Sequence, residues 1–154
     1  MLGRLARWLR ILGVDAIYLE TESDEEILGT LRRGDILFTR DKALARRAEA
    51  KGVVAVRLPE TFEEQLLTAA RVLGLKLEVD MEKTRCPICG GRLRRAERAE
   101  VHGRVPEAVE KTYEEFYVCE RCGHIYWVGT HMREIESTLR KIRGMMHGVQ
   151  AHPR

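Results

Sequence analysis

An α/β domain with a mostly parallel sheet flanked by helices, followed by a small metal-held ribbon and a closing helix, is the architecture this sequence predicts. Three observations carry it. Over residues 1–73, short apolar runs alternate with amphipathic stretches, which is the rhythm of βα units. The four cysteines of the chain then fall into two knuckles, Cys86-Pro87-Ile88-Cys89-Gly90 and Cys119-Glu120-Arg121-Cys122-Gly123. Beyond them the hydrophobic period returns to that of a helix.

The elements follow in order. Leu2, Leu5, Leu9 and Leu12 share one face of a helix over residues 3–13, with Arg4, Arg7 and Arg10 on another, and Gly13 stops it. Ala16-Ile17-Tyr18-Leu19 reads as a short strand. Ser23 or Asp24 caps a helix running to about Arg33, with Ser23-x-x-Glu26 in the capping-box pattern, and Gly34 ends it. Ile36-Leu37-Phe38-Thr39 is an apolar strand, expected to be buried on both faces in a parallel sheet. Asp41 opens a helix from Lys42 to Lys51, a strand runs from Val53 to Leu58, and Pro59 leads into a helix from about Thr61 to Leu73. The resulting three-stranded sheet is narrow, and its first helix has no strand before it. Residues 75–84 link to a ribbon over 85–131, with strands at Tyr117-Val118 and Ile125–Val128. A last helix over about 132–147 carries Ile135, Leu139, Ile142 and Met146 on one face and Arg133, Arg140, Lys141 and Arg143 elsewhere. The division expected is 1–80 for the α/β domain and 81–154 for the ribbon with its basic helix.

Each C-x-x-C pair lets two thiolates grip one tetrahedral ion, and the glycine after it lets the backbone turn amide N–H groups towards the sulfurs. Two such knuckles read as a structural zinc site of Cys86, Cys89, Cys119 and Cys122. A thioredoxin-like reading explains only one pair. Two disulfides need an oxidising compartment, and no secretory signal opens the chain. A closed site stabilises a fold rather than doing chemistry, and zinc there supplies about 10–16 kcal/mol.

At 154 residues, 44% of them hydrophobic, the chain suits one small domain plus a metal-held module. No apolar run is long enough to cross a membrane, so a cytoplasmic protein with no membrane partner is expected. The net charge of +3 is uneven: residues 1–80 hold 13 Lys/Arg against 14 Asp/Glu, and residues 81–154 hold 14 against 10. The basic excess in the cysteine half favours a polyanionic partner, although a solvated surface accounts for the same numbers.

In open α/β sheets ligands gather at the carboxyl ends of strands. Asp41 follows Thr39 and Arg40 there, and Asp24 stands at a loop-to-helix junction before Glu25 and Glu26. Converging carboxylates hold Mg²⁺ or Mn²⁺ against a phosphate; equally, both aspartates suit helix N-termini. Ser23, Thr39 and Thr21 fit either as caps or as hydroxyls around such an ion. The arginines of the first helix suit phosphates or a solvated face. His124 and His131 lie near the second knuckle but are not needed as ligands beside four cysteines, and His131 suits a phosphate contact or a structural role.

Three segments, Met1-Leu2-Gly3-Arg4-Leu5-Ala6-Arg7-Trp8-Leu9-Arg10-Ile11-Leu12-Gly13, Asp24-Glu25-Glu26 and Leu37-Phe38-Thr39-Arg40-Asp41, closely resemble the Mut-seven C-terminal RNase domain family. Both knuckles, from Arg85 to Leu93 and from Cys119 to His131, resemble the family's own, so that the likeness covers about residues 1–133. It implies a PIN-like nuclease fold with an appended zinc ribbon and a ribonuclease dependent on Mg²⁺ or Mn²⁺. Asp24 and Asp41 map onto its acidic cluster, with Glu25 as helper, and Arg4, Arg7, Arg10, Arg40 and His131 are the residues expected on the RNA. Family members carry a hydrophobic strand ending in aspartate before the first helix, whereas this sequence starts at the helix. The expectation is therefore a missing first strand, impaired cleavage, and an exposed sheet edge that invites a homodimer. Two rivals accompany this reading: a non-catalytic RNA- or ribosome-binding zinc-ribbon adaptor, and a toxin-like protein controlled by an antitoxin-like partner.

Overall fold

Main-chain N–H groups at a helix start need acceptors from outside the helix, and those caps set the frame of the first part of the fold. The computed structural model of the protein describes residues 2–150. Helix α1 spans Leu2–Ile11. Helix α2, Asp24–Thr30, is capped by Ser23, whose hydroxyl accepts from the Glu26 N–H. Strand β1, Ile36–Thr39, leads to α3, Lys42–Ala50, capped by Asp41. Strand β2, Val54–Arg57, leads to α4, Phe62–Leu73, whose cap Thr61 accepts from the Glu64 N–H and donates to the Glu64 carboxylate.

β1 and β2 pair in parallel, Ile36 with Val54 through Thr39 with Arg57. The period of two sends the paired Leu37 and Ala55 into a cluster with Leu28 of α2 and Leu44 and Ala48 of α3. The opposite corner stays open: Ile36 and Val54 are exposed, the latter at 58%.

Two expectations are corrected here. Ala16–Leu19 forms no strand, and Ile17 is 79% exposed. Apolar composition makes a strand only where a ladder partner is within reach, and this segment has none among the described residues. β1 is likewise not buried on both faces, because its neighbours among the described residues are β2 on one edge and the α2–α3 cluster on one face. Helix α2 also stops at Thr30, short of the expected Arg33.

The ribbon holds more structure than its sequence suggested. Strand β3, Leu93–Arg95, pairs antiparallel with β4, Phe116–Cys119, which pairs with β5, Ile125–Trp127. Two short helices, α5 (Arg98–Val101) and α6 (Glu107–Thr112), lie between β3 and β4. Val101, Phe116, Val118 and Ile125 form a buried cluster, against which Val105, Val109, Tyr113 and Trp127 pack. Helix α7, Thr130–Gln150, buries Ile135, Leu139 and Ile142, the stripe predicted from its period.

The chain divides into two compact units, one of Ile17–Gly74 with the start of α1, the other of Arg7–Ala16 with Leu75 onward. No helix among the described residues is long and apolar enough to cross a membrane. Each unit has side chains with no access to water, Leu66 in the first and Leu139 in the second. Leu66→Ala is expected to cost about 2–5 kcal/mol, the usual range for a cavity in a packed core. A denaturant midpoint unchanged from that of the parent would contradict this packing.

Candidate metal centre and acidic edge

The two knuckles bring all four cysteine sulfurs within 4.8 Å of one another. Among the described residues this is the one group of three or more metal-ligating side chains so gathered. The cysteines are free thiols rather than disulfides. Cys86 Sγ lies 3.7 Å from Cys122 Sγ, and Cys89 Sγ lies 3.4 Å from Cys119 Sγ. A tetrahedral ion with bonds of about 2.3 Å to sulfur sets its ligands roughly 3.8 Å apart, so the donor set fits zinc.

Each knuckle closes on itself: the Gly90 N–H donates to the Cys86 carbonyl at 2.8 Å, and the Gly123 N–H to the Cys119 carbonyl at 3.0 Å. Both glycines have φ near +78°, a conformation a side chain resists. Backbone N–H groups then turn onto sulfur, Gly91 onto Cys89, and Arg121 and Cys122 onto Cys119, each at 3.4 Å. Burial raises the Cys119 thiol, but the Cys122 and Arg121 N–H groups and the neighbouring thiols outweigh it and bring it down to about 7. At Cys122 the His124 N–H lowers the thiol, yet burial and the other three sulfurs push it up to about 12. The sulfurs thus do not ionise together unaided, and a bound cation is what lets all four become thiolates.

Arginines clamp the carbonyls of the knuckles. Arg10 donates to Pro87 O at 3.0 Å and Ile88 O at 3.3 Å, and to Ala16 O at 2.8 Å. Arg121 reaches Cys89 O, Arg85 reaches Gly90 O, and Arg104 reaches Gly123 O. These guanidinium groups orient the loops and place positive charge around sulfurs that become anionic with metal.

Sequence reasoning missed Gly91, Arg121 and Tyr126. The signal for Gly91 was the doubled glycine, of which the knuckle turn needs only one. A Cβ at Gly91 would stand 2.7 Å from Cys119 Sγ and 3.3 Å from Cys89 Sγ. Gly91→Ala should therefore weaken metal retention against a chelator, whereas Gly103→Ala, which touches nothing within 4 Å but shares the positive φ, should cost only fold stability. Equal metal retention in Gly91→Ala and the parent protein would count against this crowding.

The acidic residues sit at helix starts. Asp41 is exposed, and its Oδ1 accepts from the Ala43 and Leu44 N–H groups at 2.9 and 3.1 Å. Its own N–H donates to the buried Thr39 hydroxyl at 3.1 Å, which fixes the turn out of β1. Its Oδ2 accepts nothing among the described residues. Asp24 is half-buried, and Arg47 of α3 lies 3.6 Å from it and 3.0 Å from Glu25. A hydrogen bond at its own backbone, then Arg47, holds the Glu25 carboxyl below its usual range. Arg47 thus joins Asp24 to Glu25. The two aspartates and Glu25 do not form a three-ligand group among the described residues.

The residues expected on RNA stand in different settings. Arg4 lies over the Phe62 ring, 3.9 Å from its centroid. Arg7 is exposed on α1, and Arg40 lies 3.9 Å from Glu60. Arg10 is committed to the three carbonyls above. His131 is exposed, 3.7 Å from Glu134. The ring of His124 lies against Tyr126, 4.6 Å between centroids, rather than at the sulfurs.

Comparison with known proteins adds the family. No curated protein and no solved structure matches the chain. The family model described as Mut7-C RNAse domain matches residues 1–139, which takes in the first helix, the acidic edge and both knuckles. With nearly the whole of its length so matched, this chain belongs to the Mut7-C RNAse domain family.

Proposed function

We propose that this protein is a divalent-metal-dependent ribonuclease whose ribbon is held together by zinc. The family match over residues 1–139 is the observation that carries the reading. The geometry of Asp41 supports it. The N-cap contacts tie down one carboxylate oxygen and leave the other towards solvent just past the carboxyl end of β1. Mg²⁺ commonly takes one or two carboxylates and completes its shell with water and phosphate, so Asp41 and Asp24 suit such an ion, with Glu25 beside them. When bound, the ion polarises a water and offsets charge on the scissile phosphate. The chain's own part is to hold Asp41 in one rotamer and to keep Asp24 and Glu25 in place through Arg47.

RNA binding rests on the exposed guanidinium groups of α1, Arg4 held by the Phe62 ring and Arg7 free in solvent exposure. Binding should fall steeply with salt, because phosphate contacts release counterions. Replacing Arg4 and Arg7 together by alanine should lower the salt slope by about 2, one for each lost phosphate contact. Fluorescence anisotropy with a single-stranded RNA over a salt series measures this. Binding that ignores salt would overturn an RNA partner.

One observation favours the adaptor reading: Asp24, Glu25 and Asp41 do not gather as a three-ligand group. An adaptor binds RNA with the same salt dependence and leaves it uncut in Mn²⁺. Gel analysis of the RNA after incubation separates the two.

A further inference from the structure

The four sulfurs are served unequally. Cys119 receives the N–H groups of Arg121 and Cys122, Cys89 receives that of Gly91, and Cys122 receives that of His124. Cys86 is the most buried of the four, with no access to water, and no backbone N–H reaches its sulfur among the described residues. Its polar neighbour other than a thiol is the phenol of Tyr126, 2.9 Å from Sγ. A thiolate buried without a donor is costly. A metal-bound thiolate carries no proton, so the hydrogen in this contact belongs to the phenol.

We propose that Tyr126 is a positioning residue of the metal centre, its hydroxyl donating to the Cys86 thiolate in the place where the other cysteines use backbone N–H groups. The strand holds the phenol there. Tyr126 is the middle residue of β5, paired with Tyr117 of β4, and the His124 ring packs against its side chain. Cys86 leads the first knuckle, while Tyr126 lies just past the second. The contact therefore ties a ligand of one knuckle to the sheet that follows the other. Donors to metal-ligating groups fix their orientation and tune their donor strength, and losing one typically costs about 10–100-fold in metal affinity.

This rests on the cysteines holding zinc, and the test keeps the two apart. The full-length protein and its Tyr126→Phe variant, which lacks a single oxygen, are titrated with Co²⁺ and competed for Zn²⁺ with a chelator. The expected result is an affinity lower by about 10–100-fold in Tyr126→Phe. Its thiolate-to-cobalt charge-transfer band should also move to longer wavelength, since an unbonded sulfur gives up its electrons more easily. Tyr117→Phe, which deletes the same oxygen from the paired residue where the hydroxyl faces Glu115, should leave both readouts as in the parent. The band is read on whatever fraction loads, so a lost hydrogen bond is told from lost structure. Parental affinity and an unmoved band in Tyr126→Phe would overturn the assignment. A parent protein that binds neither ion would overturn the cysteine-site reading and this assignment with it.

Discussion

Cys86→Ser is expected to leave the protein without bound zinc and to unfold the knuckles, while the unit of Ile17–Gly74 stays folded. The parent should carry about one zinc per chain by elemental analysis, since a single four-sulfur cluster is present. Metal binding at such a site supplies about 10–16 kcal/mol of folding free energy, more than most domains have in total. A serine oxygen at Cys86 removes the ligand that is wholly buried and that Tyr126 faces. The unfolding should have a limit. Val101, Phe116, Val118 and Ile125 bury their side chains together without help from metal, and the buried stripe of α7 adds to the same unit. Hydrogen exchange should therefore accelerate first at residues 86–91 and 119–124, with β4 and β5 following, and should be unaltered in β1, β2 and α3. Acidification should mimic the substitution, because the ligands must be thiolates and protons compete with metal for them. A chain that carries no zinc under reducing conditions and keeps these amides protected would contradict the whole account.

The second large effect is expected at Asp41. Asn caps helices about as well as Asp, so Asp41→Asn keeps acceptors for the Ala43 and Leu44 N–H groups and removes the charge. Thermal unfolding should change little, while RNA cleavage in Mn²⁺ should fall on the order of 10²–10³-fold, the usual loss when one electrostatic stabiliser leaves an active site. Asp24→Asn should act in the same direction and also release Arg47 to Glu25 alone. Cleavage by Asp41→Asn at the parent's rate would remove the acidic edge from the mechanism. A parent that binds RNA and cuts none would instead support the adaptor.

How far the sequence reaches differs from one element to the next. The caps Ser23, Asp41 and Thr61 were legible because capping depends on residues within three positions of one another. The helical stripe of Ile135, Leu139 and Ile142 was legible for the same local reason. So was the four-cysteine cluster, since C-x-x-C spacing confines each pair and chemistry leaves few other uses for them. The placement of Asp41 at a strand's carboxyl end followed from the order of elements alone.

What only the tertiary structure decided depends on partners remote in sequence. Ala16–Leu19 has the composition of a strand, but a strand exists only in a ladder, and composition does not name the neighbour. Arg10 reads as a phosphate ligand on an amphipathic helix, yet its guanidinium is taken by carbonyls 77 and 78 residues away. Tyr126 reads as one more aromatic of an apolar strand until the fold sets its oxygen on Cys86, 40 positions earlier. Local periodicity and ligand spacing thus determined the helices and the metal cluster. Which donor meets which acceptor across the chain was decided by packing, because hydrogen bonds are short-ranged and only the folded backbone brings such groups within 3 Å or so.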